Sequence, residues 1–172
     1  MSTTLWALID EALIGDGQIA PLRVGDSLFA GLSVMAGPRR DAGSDEDGIR
    51  LLSDEQGIYR ITGTARSDGY TWIIDAGDLR IVAYQEPRRP AVGVRYAVEG
   101  ALAVAWDYEW DLATDPEMGG APYDGRRTWR VLSIRTAVRP ARDSYVRHRG
   151  PAVHQLPRWP DHDHWLQLAP TT

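Results

Sequence analysis

The densest run of groups able to do chemistry is Asp161-His162-Asp163-His164. Carboxylate and imidazole are ligands for zinc, manganese or iron, and His148 and His154 lie nearby in the chain, so one expectation is a small metal-dependent enzyme using His162 and His164 with Asp161 and Asp163. No pair of these ligands sits at a helical ligand spacing, and a solvated or ion-paired segment explains them as simply. Asp107, Glu109 and Asp111 form a second set. On a strand they project from one side with neighbours about 7 Å apart, a separation that suits paired carboxylates, a hard cation or a plain wet sheet face. Asp45-Glu46-Asp47-Gly48 invites comparison with a calcium loop, but setting Gly48 at the sixth position places Gly43 first, Arg50 eighth and Asp54 twelfth, and the pattern fails. A polar loop over 37–48 is the better reading. No Gly-rich phosphate loop with Lys, no Gly-x-Ser-x-Gly elbow and no dinucleotide fingerprint occurs, so no cofactor is implied.

The chain has 172 residues and no cysteine, which excludes disulfides, thiolate metal sites and cysteine nucleophiles and fits a reducing, cytoplasmic setting. No apolar run approaches the roughly 18 residues a membrane-spanning helix needs. All 19 basic side chains are Arg. They are unevenly spread: residues 1–125 carry 10 Arg against 21 Asp plus Glu, whereas residues 126–172 carry 9 Arg against 3 Asp. An anionic partner for the basic part would account for this, and so would attraction between the two parts of one molecule, which we favour.

Hydrophobic alternation organises the middle of the chain. From Val92 to Asp111, Val92, Val94, Tyr96, Val98, Leu102, Val104, Trp106, Tyr108 and Trp110 occupy every second position apart from Gly100, the pattern of a long strand with one buried face. Twenty residues of strand would span about 65 Å, so the strand must bend, and Gly100 is where it can change neighbours. Tyr59, Ile61 and Ala65 form an earlier inward row interrupted by Gly63; Trp72 and Ile74 form the next; Leu79, Ile81 and Ala83 a third. Thr128 to Val138 shifts phase between Trp129 with Val131 and Leu132 with Ile134, as a bulged strand does.

These five runs predict a mainly β chain built on a small antiparallel barrel. With Ile-Thr-Gly-Thr, Trp-Ile-Ile-Asp-Ala-Gly-Asp and Val-Glu-Gly-Ala-Leu-Ala-Val in this order, the stretch from Ile58 to Val138 resembles an oligonucleotide/oligosaccharide-binding (OB) barrel. The expected organisation is one barrel domain over 1–138, with the OB-like core at 58–138 and an N-terminal β extension, followed by a proline-rich basic segment, 139–172, packed irregularly on the barrel. Residues 4–14 read either as a helix or as a strand. Val24 to Val34 echoes Val94 to Val104, and Trp6 with Ile9-Asp10 loosely echoes Trp72 with Ile74-Asp75, which reads either as a weak internal repeat or as the chance likeness of two amphipathic strands, the reading we slightly favour.

For function, the preferred expectation is a non-catalytic module that binds a protein partner through a strand edge or through the loop from Asp107 to Gly125. Trp110 and Tyr123 would anchor it, with Asp107, Glu109 and Asp111 around them. The alternative is single-stranded nucleic-acid binding. There Arg80, Val82 and Tyr84 would point outward from one strand and Ile73 from its neighbour, with Arg130 and Arg135 of the last run supplying charge. No membrane partner is expected.

Overall fold

The computed structural model describes residues 4–35, 37, 39–66, 72–84, 91–115, 117, 125–140 and 147–171. Both readings of residues 4–14 are realised in turn. Leu5, Ala7 and Ile9 point inward along strand β1 (Leu5–Ile9), and the Asp10 carboxylate then accepts from the Ala12 N–H at 2.8 Å to start the short helix α1 (Glu11–Gly15). Strands β2 (Ser27–Ala30) and β3 (Leu32–Met35) are successive pieces of one extended segment interrupted at Gly31. The short β4 (Arg40–Asp41) precedes β5 (Gly48–Ser53), β6 (Ile58–Ala65), β7 (Trp72–Ala76), β8 (Leu79–Tyr84) and β9 (Arg95–Val104).

The long alternation is only half strand. Val92-Gly93 is a turn with Gly93 at φ 81°, and beyond Val104 the chain forms helix α2 (Asp107–Thr114). Two features override the strand-like alternation of Trp106, Tyr108 and Trp110. The Glu109 carboxylate accepts from the Trp106 N–H at 2.9 Å, filling an orphan donor at the helix start, and Trp110 with Ala113 presents one helical face to the barrel. Gly100 behaves as its position implies: β9 pairs with β6 through Ala101, then with β1 at Ala103.

Five strands close into a barrel in the order β9–β3–β8–β7–β6 and back to β9. The barrel is mixed rather than antiparallel, because β3 and β8 run parallel. Its fifth stave is also not the expected one. The run Thr128 to Val138 lies outside the barrel, within β10 (Arg127–Val138), and β3 from the N-terminal third takes that place, so this third contributes a stave. The phase shift in β10 is a register shift between Val131 and Ser133, which lets Trp129, Val131 and Ile134 all be buried.

The segment after Val138 is only partly irregular among the described residues. It forms β11 (His148–Val153) and β12 (His164–Pro170), and β12 lies between β10 and β1 with Leu166 and Leu168 in the core. The prolines permit this because they fall outside the strand interiors that need every N–H: Pro157 and Pro160 between strands, Pro170 at the end of β12, and Pro151 in β11, which among the described strands pairs with β10 alone.

The strands outside the barrel repeat its pairing scheme. In the barrel, β9 pairs antiparallel with β6, β6 with β7 and β7 with β8, and β8 runs parallel to β3. Outside it, β2 pairs antiparallel with β10, β10 with β12 and β12 with β1, and β1 runs parallel to β9. Strand β2 continues through Gly31 into β3, so this second circuit also returns to β9. The contact between β3 and β9 pairs Leu32 with Val104, Ser33 with Ala103 and Val34 with Leu102. Exchanging Val24–Val34 with Val94–Val104 leaves these pairs unchanged, which is the repeat visible in the sequence. The Trp6 and Trp72 echo has no such counterpart, since β1 corresponds to β8 rather than to β7.

Candidate functional site

Helix α2 sets the region expected to carry partner contacts. Trp110 is 1% exposed, packed with Ile73, Val82, Ala105 and Ala113, so it is part of a core and not a rim anchor. Its indole lies so close to Gly31 and Gly125 that a Cβ on either would fall 1.7 Å and 2.5 Å from it. Asp107 and Asp111 are exposed one helical turn apart, while Glu109 is buried at the helix start; three carboxylates on one face, as a strand would give, are not present. Asp107 lies 3.5 Å from Arg126. Tyr123 falls outside the described residues.

The same helix closes the face proposed for nucleic acid. Ile73 and Val82 do point outward from β7 and β8, but both are fully buried beneath α2 and are not available for base stacking. Arg80 places its Nε 3.8 Å from Asp75, and Tyr84 ends β8. Arg130 and Arg135 lie on β10, outside the barrel, with Arg130 exposed and Arg135 half-buried.

The histidine run does not converge on a point. His162 and His164 stack with ring centroids 4.6 Å apart and planes at 21°, which sets their in-plane lone pairs side by side. Asp161 is engaged by His162 Nδ1, whose hydrogen bond pulls the Asp161 carboxyl below its ordinary range, and Asp163 lies 3.3 Å from Arg147. Burial, reinforced by the neighbouring His162, lowers the pKa of His164 and favours the neutral ring. Asp163 instead meets Asp10 and Glu11, with carboxylate oxygens within 4.8 Å of one another. Desolvation, then the hydrogen bond and charge of Asp163, raise the Glu11 pKa, as expected where neighbouring carboxyls share a proton.

A cleft of about 700 Å³ opens on the outer side of β1, β12, β10 and β11, lined by Trp6, Asp54, Glu55, Arg135, Arg149 and Gln167. Register places Trp6 opposite Gln167. The Arg149 guanidinium lies 4.5 Å from the centre of the Trp6 ring, and its Nη2 is 2.8 Å from Asp54. The turn carrying the two acids is pinned further by His148 Nδ1 to Glu55 at 2.7 Å and by the Arg149 N–H donating to the Glu55 carbonyl at 3.2 Å. Below it, the backbone N–H of Trp6 donates to the Tyr59 hydroxyl at 2.7 Å, and burial raises the Tyr59 pKa.

Neither a family model, nor a curated protein, nor a solved structure matches this chain. Function must therefore be argued from the surface itself. Among the described residues no helix is long and apolar enough to cross a membrane. Of the cleft residues, only Arg135 is among the candidate site residues read from the sequence, as an arginine of the last alternating run. Trp6, Asp54, Glu55, Arg149 and Gln167 come from four distant segments that only the strand pairing assembles.

Proposed function

We propose that this protein is a non-catalytic binding module that receives an extended segment of a protein partner along the free edge of β5. The observation that supports this is that β5 pairs only with β6 among the described strands, while Leu51 and Leu52 on it stand 43% and 45% exposed. A strand with unpaired N–H and C=O groups on one side and apolar side chains on view is a template for strand addition. Beside β5, a hollow of about 370 Å³ is lined by Asp45, Ile49, Arg50, Arg60 and Thr62, and another of about 270 Å³ by Leu5, Ile49, Leu79 and Trp129. Main-chain pairing would supply affinity and these hollows side-chain selection.

In this reading the barrel is OB-like, with its fifth stave supplied from upstream by β3, and α2 closes one outer face and leaves an edge as the place to grip. The test is affinity capture with the full chain, followed by hydrogen exchange on the captured complex. Protection confined to Gly48–Ser53, and loss of capture with Leu51→Glu plus Leu52→Glu at unchanged melting temperature, is the expected result. Capture that survives both substitutions rejects the β5 edge.

A further inference from the structure

We propose that the cleft between Trp6, Arg135, Arg149 and Gln167 is a second binding site, for the oxyanion of a small organic ligand, a phosphate or a carboxylate. It stands independently of the β5 reading, since no cleft residue lies on β5.

Unspent guanidinium donors carry the argument. Arg135 donates Nη1 to the Gly150 carbonyl at 3.2 Å and has no carboxylate partner among the described residues. The Arg149 side chain is only 9% exposed and its Nη2 meets Asp54, so it adds positive charge beside the cleft while Arg135 supplies the free donors. The acids on the rim do not supply the missing acceptors, because Asp54 is already held by Arg149 and Glu55 by His148. Arg135 is therefore the guanidinium of the cleft that lacks a carboxylate partner among the described residues, and its planar fork matches two oxygens of one anion.

Preorganisation points the same way. Stacking on Trp6 and pairing with Asp54 fix the Arg149 plane, so little side-chain freedom is left to lose on binding. The two halves of the fold add a contrast. The strands that correspond to β12 and β1 are β7 and β8, whose outer residues Ile73 and Val82 are sealed by α2. On β12 and β1, Trp6 and Gln167 instead line an open cleft.

The probes are inorganic phosphate, adenosine monophosphate, citrate and uncharged adenosine, titrated into the full-length protein at low salt and followed through the Trp6 indole N–H resonance, assigned with Trp6→Phe. Saturable shifts with at least one anion and none with adenosine are expected, weakened at least tenfold by Arg135→Gln. Response to phosphate and the nucleotide alone assigns a phosphate ligand, response to citrate alone a carboxylate ligand, and either supports the site. Silence of the Trp6 resonance to all three anions overturns the proposal without recourse to any variant. So does anion binding that Arg135→Gln leaves unchanged in a protein of unaltered melting temperature.

Discussion

The outer face of β7 and β8 and the outer face of β12 and β1 occupy corresponding places in two circuits with the same sequence of parallel and antiparallel contacts, yet they are finished in opposite ways. On the first, Ile73 and Val82 are apolar and α2 lies over them with Trp110 and Ala113. On the second, Trp6, Gln167 and the arginines beside them are amphipathic, and the covering chain is the turn Asp54–Gly57, which reaches Trp165 with Gly57 but leaves Trp6 at a cleft. Pairing order alone therefore does not decide which face is available. The residue types on the outward rows do, because an apolar row must be buried by some later element while a row of long polar side chains can remain wet.

The largest expected effect breaks the sealed half. Trp110→Ala removes a fully buried indole and should cost about 4 kcal/mol, read as a lower midpoint in urea denaturation. Gly31→Ala comes next, at about 3 kcal/mol, because its methyl meets the indole Nε1 at 1.7 Å. The double variant should be much less destabilised than the sum of the two, and strict additivity would show that Gly31 does not act through Trp110. In the open half, Gly57→Ala should cost about 2 kcal/mol, since Gly57 sits at φ 58° and its Cβ would fall 2.6 Å from Trp165. Equal losses for Gly57→Ala and Trp110→Ala would erase the contrast between the halves.

Smaller effects sharpen it. His164 holds a folded pKa below the ordinary 6.5, so below that value the unfolded chain binds the proton that the folded chain resists. Its contribution is fully present above pH 6.5 and is lost as pH falls through the lower folded value. Glu11 has the opposite sign: its raised pKa means stability is lost as pH rises from 4.5 through its folded value. His164→Leu leaves Glu11 in place, so comparing midpoints of both proteins between about pH 5 and 7 isolates the histidine, whose removal should flatten the decline. The smallest change expected is for Glu55→Gln. It loosens an exposed pair with His148 and should cost less than about 1 kcal/mol, with the same test of thermal melting.

Much of the barrel is legible in the sequence because alternation reports a half-buried strand wherever both neighbours are regular. The inward rows Tyr59, Ile61 and Ala65, Trp72 and Ile74, and Ile81 and Ala83 are buried, and Leu79 at the start of the last row is half-buried. Part of the charge asymmetry is met within the molecule: Arg126, Arg127 and Arg149 from the basic part lie beside Asp107, Asp78 and Asp54 of the acidic part. Helix α2 is missed because residues 106, 108 and 110 alternate like a strand while residues 106, 110 and 113 fit a helix, and only the apolar outer face of β7 and β8 decides between them. β12 is missed because prolines near its ends mask a seven-residue strand whose central residues are apolar.

What the chain determines by itself is local: which residues turn inward, where Gly63 and Gly100 interrupt a row, and that Val24–Val34 and Val94–Val104 are alike. Tertiary structure decides which strand closes the barrel, which face α2 seals, and that residues 6, 54, 55, 135, 149 and 167 meet at one cleft. The reason is that alternation encodes the side of a strand that is buried but not the strand that lies next to it. That choice is made by long-range pairing, where β3 runs parallel to β8 although residues 36–78 of the chain lie between them.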